Sequence, residues 1–100
     1  MRVLKQIIEP TEMQTYMLPG SIVKPLCVKL QNANIVMYFE TDASDEDIEH
    51  KTCLVPITVG VTGTGCNMSH LYGFNYLGTV MMPYGLVWHC YVRNELSHDI

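Results

Sequence analysis

The sequence predicts a mainly all-β fold: a small antiparallel β-sandwich or barrel of six to seven short strands. Three observations carry that expectation. Short runs of β-branched and aromatic residues alternate with Pro, Gly and Asn turn signals. No segment sustains the helical period of 3.6 residues. The runs are closely spaced, as in hairpin-connected sheets. The chain has 100 residues, enough for one domain and no more. That domain is predicted over residues 1–93, with 94–100 as a tail.

Arg2 to Glu9 is the first expected strand, stopped by Pro10. Met13 to Leu18 is the second, closed by Pro19 and Gly20. Leu26 to Gln31 places Leu26, Val28 and Leu30 on one face. Asn32-Ala33-Asn34 then reverses the chain, because Asn tolerates positive φ. Ile35 to Glu40 returns with Ile35, Met37 and Phe39 inward. The acidic segment Thr41 to Lys51 reads as a loop with room for one helical turn, Ser44 serving as N-cap with Asp47 three residues on. Thr52 to Gly60 alternates Cys53, Val55, Ile57 and Val59 against Thr52, Leu54 and Thr58. Pro56 lacks an amide donor, so this strand is expected at an edge or with a bulge. Val61 to Gly73 reads as irregular. Asn75 to Met82 and Leu86 to Arg93 are the last strands, joined by a Pro83-Tyr84-Gly85 turn. The final strand is apolar on both faces except at His89, which predicts a central position.

Charge is sparse. Only 16% of residues are charged, against ~25% in an ordinary soluble domain. Apolar surface is therefore expected to be left over, and a homo-oligomer or a ligand groove would use it. Net charge is −4, concentrated at Glu40, Asp42, Asp45, Glu46, Asp47 and Glu49. The bases form no cluster in sequence, so binding to nucleic acid is not expected. No run reaches the ~20 apolar residues of a membrane helix, and MRVLKQIIEP has no apolar run long enough for a secretory signal, so export is not expected. Cys27, Cys53, Cys66 and Cys90 lack CxxC spacing, so they read as reduced, mostly packed thiols in a cytosol. No cofactor or metal is expected: His50, His70, His89 and His98 are scattered without i,i+4 spacing.

Two segments could carry function. In Val61-Thr62-Gly63-Thr64-Gly65-Cys66-Asn67, glycines let a ligand approach the backbone and expose successive N–H groups. Thr62, Thr64 and Asn67 add polar partners. Neither the phosphate-loop pattern GxxxxGK[ST] nor GxGxxG is present, so a tight irregular connection needing positive φ is the plainer reading of the segment. In Gly85-Leu86-Val87-Trp88-His89-Cys90-Tyr91, Trp88 and Cys90 point one way and His89 and Tyr91 the other. Trp88 reads as a core anchor or a stacking face. His89 reads as a half-buried histidine or a ligand contact. Cys66 with His89 or His70 could form a nucleophilic pair only with a third, orienting group. No catalytic residue is assigned, and the chain is not expected to be an enzyme.

Gln14-Thr15 leading to Leu18-Pro19, the hairpin around Val28 and Gln31, Thr62-Gly63-Thr64-Gly65, Tyr76-Leu77-Gly78-Thr79 and Gly85-Leu86-Val87-Trp88-His89 together resemble a family of small bacteriophage-encoded proteins. The resemblance runs from about Arg2 to Tyr91. That family often carries His after the Gly-Thr-Gly, where this chain has Cys66. The resemblance implies an accessory role in the cytoplasm of an infected bacterial host, where such proteins act stoichiometrically. Three functions stay open. The first is sequestration of a small nucleotide-like ligand, such as a host defence signal, at Thr62, Gly63, Thr64, Gly65, Asn67, Trp88 and His89. The second is inhibition of a host protein docked on Asp45, Glu46 and Asp47 or on a strand edge. The third is a minor part of the virion or its assembly.

Overall fold

The computed structural model describes residues 1–95. Seven strands run in chain order: β1 (Arg2–Ile8), β2 (Met13–Pro19), β3 (Val23–Gln31), β4 (Asn34–Thr41), β5 (Leu54–Gly63), β6 (Asn75–Met81) and β7 (Val87–Asn94). One short helix, α1 (Asp45–His50), joins β4 to β5, and 3-10 turns occupy Ser69–Leu71 and Pro83–Gly85. The strands form two sheets, ordered β1-β4-β3 and β2-β5-β7-β6, with every neighbouring pair antiparallel. The architecture is therefore a sandwich with open edges. The expected central place of the last strand holds, since β7 lies between β5 and β6.

Period-two alternation builds the core. Ile35, Met37 and Phe39 of β4 meet Ile57 and Val59 of β5 and Cys90 of β7, all fully buried. The β3–β4 hairpin closes as the sequence predicts: Asn32 and Ala33 both take positive φ, 51° and 64°, between the paired Gln31 and Asn34. Two positive φ values in a two-residue loop match the right-handed twist of the flanking strands. The helical turn in the acidic segment also forms. The Ser44 hydroxyl accepts from the Asp47 amide at 3.1 Å, and the Asp47 carboxylate accepts from the Ser44 amide at 3.0 Å.

Four expectations need correction. Pro56 lies in neither an edge strand nor a bulge, because β5 has β2 on one side and β7 on the other. Its nitrogen faces the end of β7, where the ladder starts only at Ile57 and Asn94, and its carbonyl still accepts from the Glu95 amide at 3.1 Å. The missing donor falls one residue beyond the last paired residues of the β5–β7 ladder. Second, β3 begins at Val23, and a register shift between Pro25 and Cys27 turns Leu26 out of line. Val28 is buried while Leu26 and Leu30 are exposed. Third, the strand predicted to end at Gly60 continues to Gly63, so Val61, Thr62 and Gly63 are ladder residues. Fourth, Asn94 belongs to β7; of the predicted tail, 96–100 lie outside the described residues.

β5 and β6 are both antiparallel to β7, so they are parallel to each other. The chain must therefore run back along the sheet between them, and residues 64–74 do so. Gly60 faces away from the core, opposite in phase to Val59 and Val61. A Cβ there would overlap Cδ2 of Leu71, which is itself buried. Leu71 thus seats the crossover on the outer face of the sheet. Phe74 lies 4.5 Å from the Arg93 guanidinium on the same face. Burying one leucine this way contributes roughly 2 kcal/mol. On the opposite side, β6 packs on β3 where Gly78 has no side chain; a Cβ would come within 2.9 Å of Val28 Cγ2.

Candidate functional site

The end of β5 and the start of β7 bring the two sequence-predicted segments together. Gly63 pairs with Trp88 and Thr62 with His89 in the β5–β7 ladder. After Gly63 the chain turns sharply: the Cys66 amide donates to the Gly63 carbonyl at 3.1 Å, and Gly65 takes a φ of 84°. Across from it, the 3-10 turn before β7 holds Tyr84 and Gly85 at positive φ, and the Met82 amide donates to the Leu86 carbonyl at 2.7 Å. Between the two turns lies a groove of about 510 Å³ lined by Gly63, Thr64, Cys66, Gly85, Leu86, Val87 and Trp88.

Gly63 lies beside the Trp88 ring; a Cβ there would make ordinary contacts, 3.6 Å from Cζ3 of the indole and 3.4 Å from the Cys66 sulfur. Trp88 also packs against the core cluster. The core-anchor reading agrees with this packing, and the same ring also lines the groove. No charged side chain lines the groove among the described residues. Its chemistry is that of an apolar slot with a planar indole, one hydroxyl and one exposed thiol.

His89 stands behind the groove on the outer face. Its Nε2 bonds the Thr64 hydroxyl at 2.8 Å and its Nδ1 bonds the Thr79 hydroxyl at 2.9 Å. Thr79 in turn bonds the Tyr76 hydroxyl, and the Tyr76 ring meets Tyr91 edge-on at 5.4 Å between centroids. Because each hydroxyl can donate or accept, the chain satisfies a neutral imidazole in either tautomer. It ties the 63–66 turn to β7 and β6, so His89 positions Thr64 and does not itself line the groove.

The remaining predicted residues separate. Thr62 is buried in the ladder. Asn67 accepts from the Ser69 amide at 2.8 Å and so shapes the next 3-10 turn. Both line a second hollow of about 170 Å³ with Pro10, Glu12, His70 and the other side of Trp88. Gly65 is exposed with open space around it. His70 Nε2 is buried with no hydrogen-bond partner among the described residues. In the acidic segment, Asp45 pairs with Arg2 at 2.6 Å, and Asp47 is held by Ser44 and Thr52. These bonds, the Ser44 amide first, lower the Asp47 pKa. Glu46 stays exposed.

The four thiols are free. Burial raises the Cys90 thiol to about 11, which keeps it protonated and inert. No cluster of three metal-ligating side chains forms among the described residues; His98 lies outside them. Sequence reasoning missed one arrangement. Lys5, Lys24 and Lys29 are far apart in the chain, yet β1 and β3 set all three on the outer face of the first sheet, around Tyr38 of β4. Strand pairing alone creates that face, and nothing local announces it.

Residues 1–99 match a family described as a domain of unknown function, DUF7352. No match was found among curated proteins or among solved structures.

Proposed function

We propose that this chain, which belongs to the DUF7352 family, is a non-catalytic binding module that takes the flat ring of a small nucleotide-like ligand. The supporting observation is the groove floored by Trp88 between the 63–66 and 85–87 turns. An indole face and apolar walls favour stacking of an aromatic base. With no charge in the lining, the base end would enter and any phosphate would stay in solvent. The resemblance to phage proteins supports a stoichiometric role in the cytoplasm of an infected bacterium. We also read the chain as self-associating, supported by its low charge and by large apolar side chains left exposed, Met17, Tyr72, Tyr84 and Leu86 among them.

Trp88 is the only tryptophan, so its fluorescence reports on the groove directly. Titration with nucleosides, ADP-ribose and cyclic dinucleotides should quench it. At 100 times Kd the ligand adds about 2.7 kcal/mol of stability, a rise of about 11–20 °C in Tm. Leu86 lines the groove but is 58% exposed, so Leu86→Asp should abolish quenching and leave Tm of the free protein unchanged. Unchanged fluorescence and Tm at millimolar ligand across the whole set would sink the reading.

A further inference from the structure

We propose that β2 is the strand through which two copies of this chain join, edge to edge, merging their four-stranded sheets. The inference rests on the self-association reading and adds the element that mediates it.

Among the described residues, four strands have a free edge: β1 and β3 in one sheet, β2 and β6 in the other. Exposed edges invite pairing, and proteins guard them with charge, proline, bulges or cover. Three of the four are guarded here. β1 carries Arg2 and Lys5. β3 carries Lys24, Pro25, Lys29 and the register shift at Leu26. β6 has a register shift between Tyr76 and Gly78 and packs on β3 through Gly78. β2 is Met-Gln-Thr-Tyr-Met-Leu-Pro, with no charge, no bulge and proline only at its last residue.

The phase of the β2–β5 ladder fixes which amides are free. The Val61 amide donates to the Glu12 carbonyl and the Gly20 amide to the Cys53 carbonyl, so residues of even number bond β5. The N–H and C=O groups of Met13, Thr15 and Met17 therefore point away from it. An antiparallel pairing with a second copy, centred on Thr15, sets Thr15 against Thr15 and Met13 against Met17. All three residues then become hydrogen-bonded pairs. The residues meeting across the twofold axis are two threonines, each hydroxyl bonded to Thr58 of its own β5 at 2.8 Å, flanked by methionines, with Met13 and Met17 both exposed in the single chain. Such a contact is isologous and closes at two copies. A centre at Lys5 of β1 would instead oppose like charges.

Sedimentation of the wild-type chain should give twice its 11.4 kDa, with little dependence on salt because no charge is involved. Met17→Pro removes an outward N–H from each copy and no bond to β5; dissociation should become about 30-fold easier. Val3→Lys on β1 should leave the mass unchanged. If Met17→Pro fails to fold by circular dichroism, Thr15→Cys on a Cys66→Ser background decides: mild oxidation should cross-link it fully, since paired Cα atoms stand about 5.5 Å apart. A wild-type protein that stays at single-chain mass to millimolar concentration overturns self-association itself. A dimer that survives Met17→Pro, or a Thr15→Cys dimer that does not cross-link, overturns the assignment to β2 alone.

Discussion

The seat of Leu71 on Gly60 offers the sharpest check on how the groove is held. Residues 64–66 form one wall of the groove, and the crossover that continues from them is anchored by Leu71. Leu71→Ala removes a buried leucine and should destabilise by about 2–5 kcal/mol. In Gly60→Ala, the new methyl overlaps Leu71 Cδ2 and comes within 3.2 Å of the Glu12 carbonyl. The backbone at Glu12 can give only tenths of an ångström, so Leu71 must move. Overpacking of this kind costs about 1–3 kcal/mol. The two changes act on one contact, so they must not add. With Leu71 cut back to alanine, the methyl at position 60 enters vacated space and should cost about zero or regain stability. The coupling in the double-mutant cycle should therefore be about 1–3 kcal/mol in the favourable direction. Urea unfolding followed by Trp88 fluorescence measures all four corners of the cycle. Additive effects within about 0.5 kcal/mol would refute the seat and the account of why β5 carries a glycine in its middle.

Two further outcomes follow from local geometry. Ala33 holds a φ of 64° in the β3–β4 hairpin, where its Cβ is strained; Ala33→Gly should stabilise by about 0.5–1 kcal/mol once the added freedom of the unfolded chain is subtracted, read as a higher urea midpoint. Asp42 accepts from the Ser21 hydroxyl and from the Ile22 and Ser21 amides, and these bonds, the hydroxyl first, lower its pKa to about 2. A lowered folded-state pKa means the contribution is complete above the unfolded value near 3.9 and fades as pH falls through about 2, so the Tm difference between wild type and Asp42→Asn should be constant from pH 5 to 7 and vanish near pH 2.

How much of this was legible in the sequence depended on whether a signal was local. The Asn32-Ala33 turn, the Ser44–Asp47 capping box and the alternation of Trp88, His89, Cys90 and Tyr91 each rest on a few adjacent residues, and each forms as read. The place of Pro56 does not, because its tolerance depends on where β7 happens to end. The lysine face around Tyr38 requires the β1–β4–β3 pairing before it exists. The link from Thr64 through His89 to Thr79 joins three elements, and only the third coordinate of the fold brings them together. Gly60 carried a usable hint: a glycine amid Ile57, Val59 and Val61 marks a close approach by something outside the strand. Leu71, an isolated aliphatic residue in a glycine-rich stretch, was the natural partner.

The groove and the core share one ring, and that sharing sets how binding and stability are coupled. The inner part of Trp88 packs on the cluster built around Met37, Ile57 and Cys90, while its outer part floors the slot. Any ligand that stacks there buries surface already continuous with the core, so its binding energy adds to folding stability through the same side chain. Truncating Trp88 would remove both contributions together and could not separate them. Leu86 and Thr64 can, because they touch the slot from opposite turns without entering the core. Thr64 is held in place by His89 rather than by hydrophobic packing. The slot therefore has one wall fixed by an apolar seat at Gly60, one hydroxyl fixed by an imidazole, and a floor fixed by the core. A pre-formed cleft of this kind needs little ordering on binding.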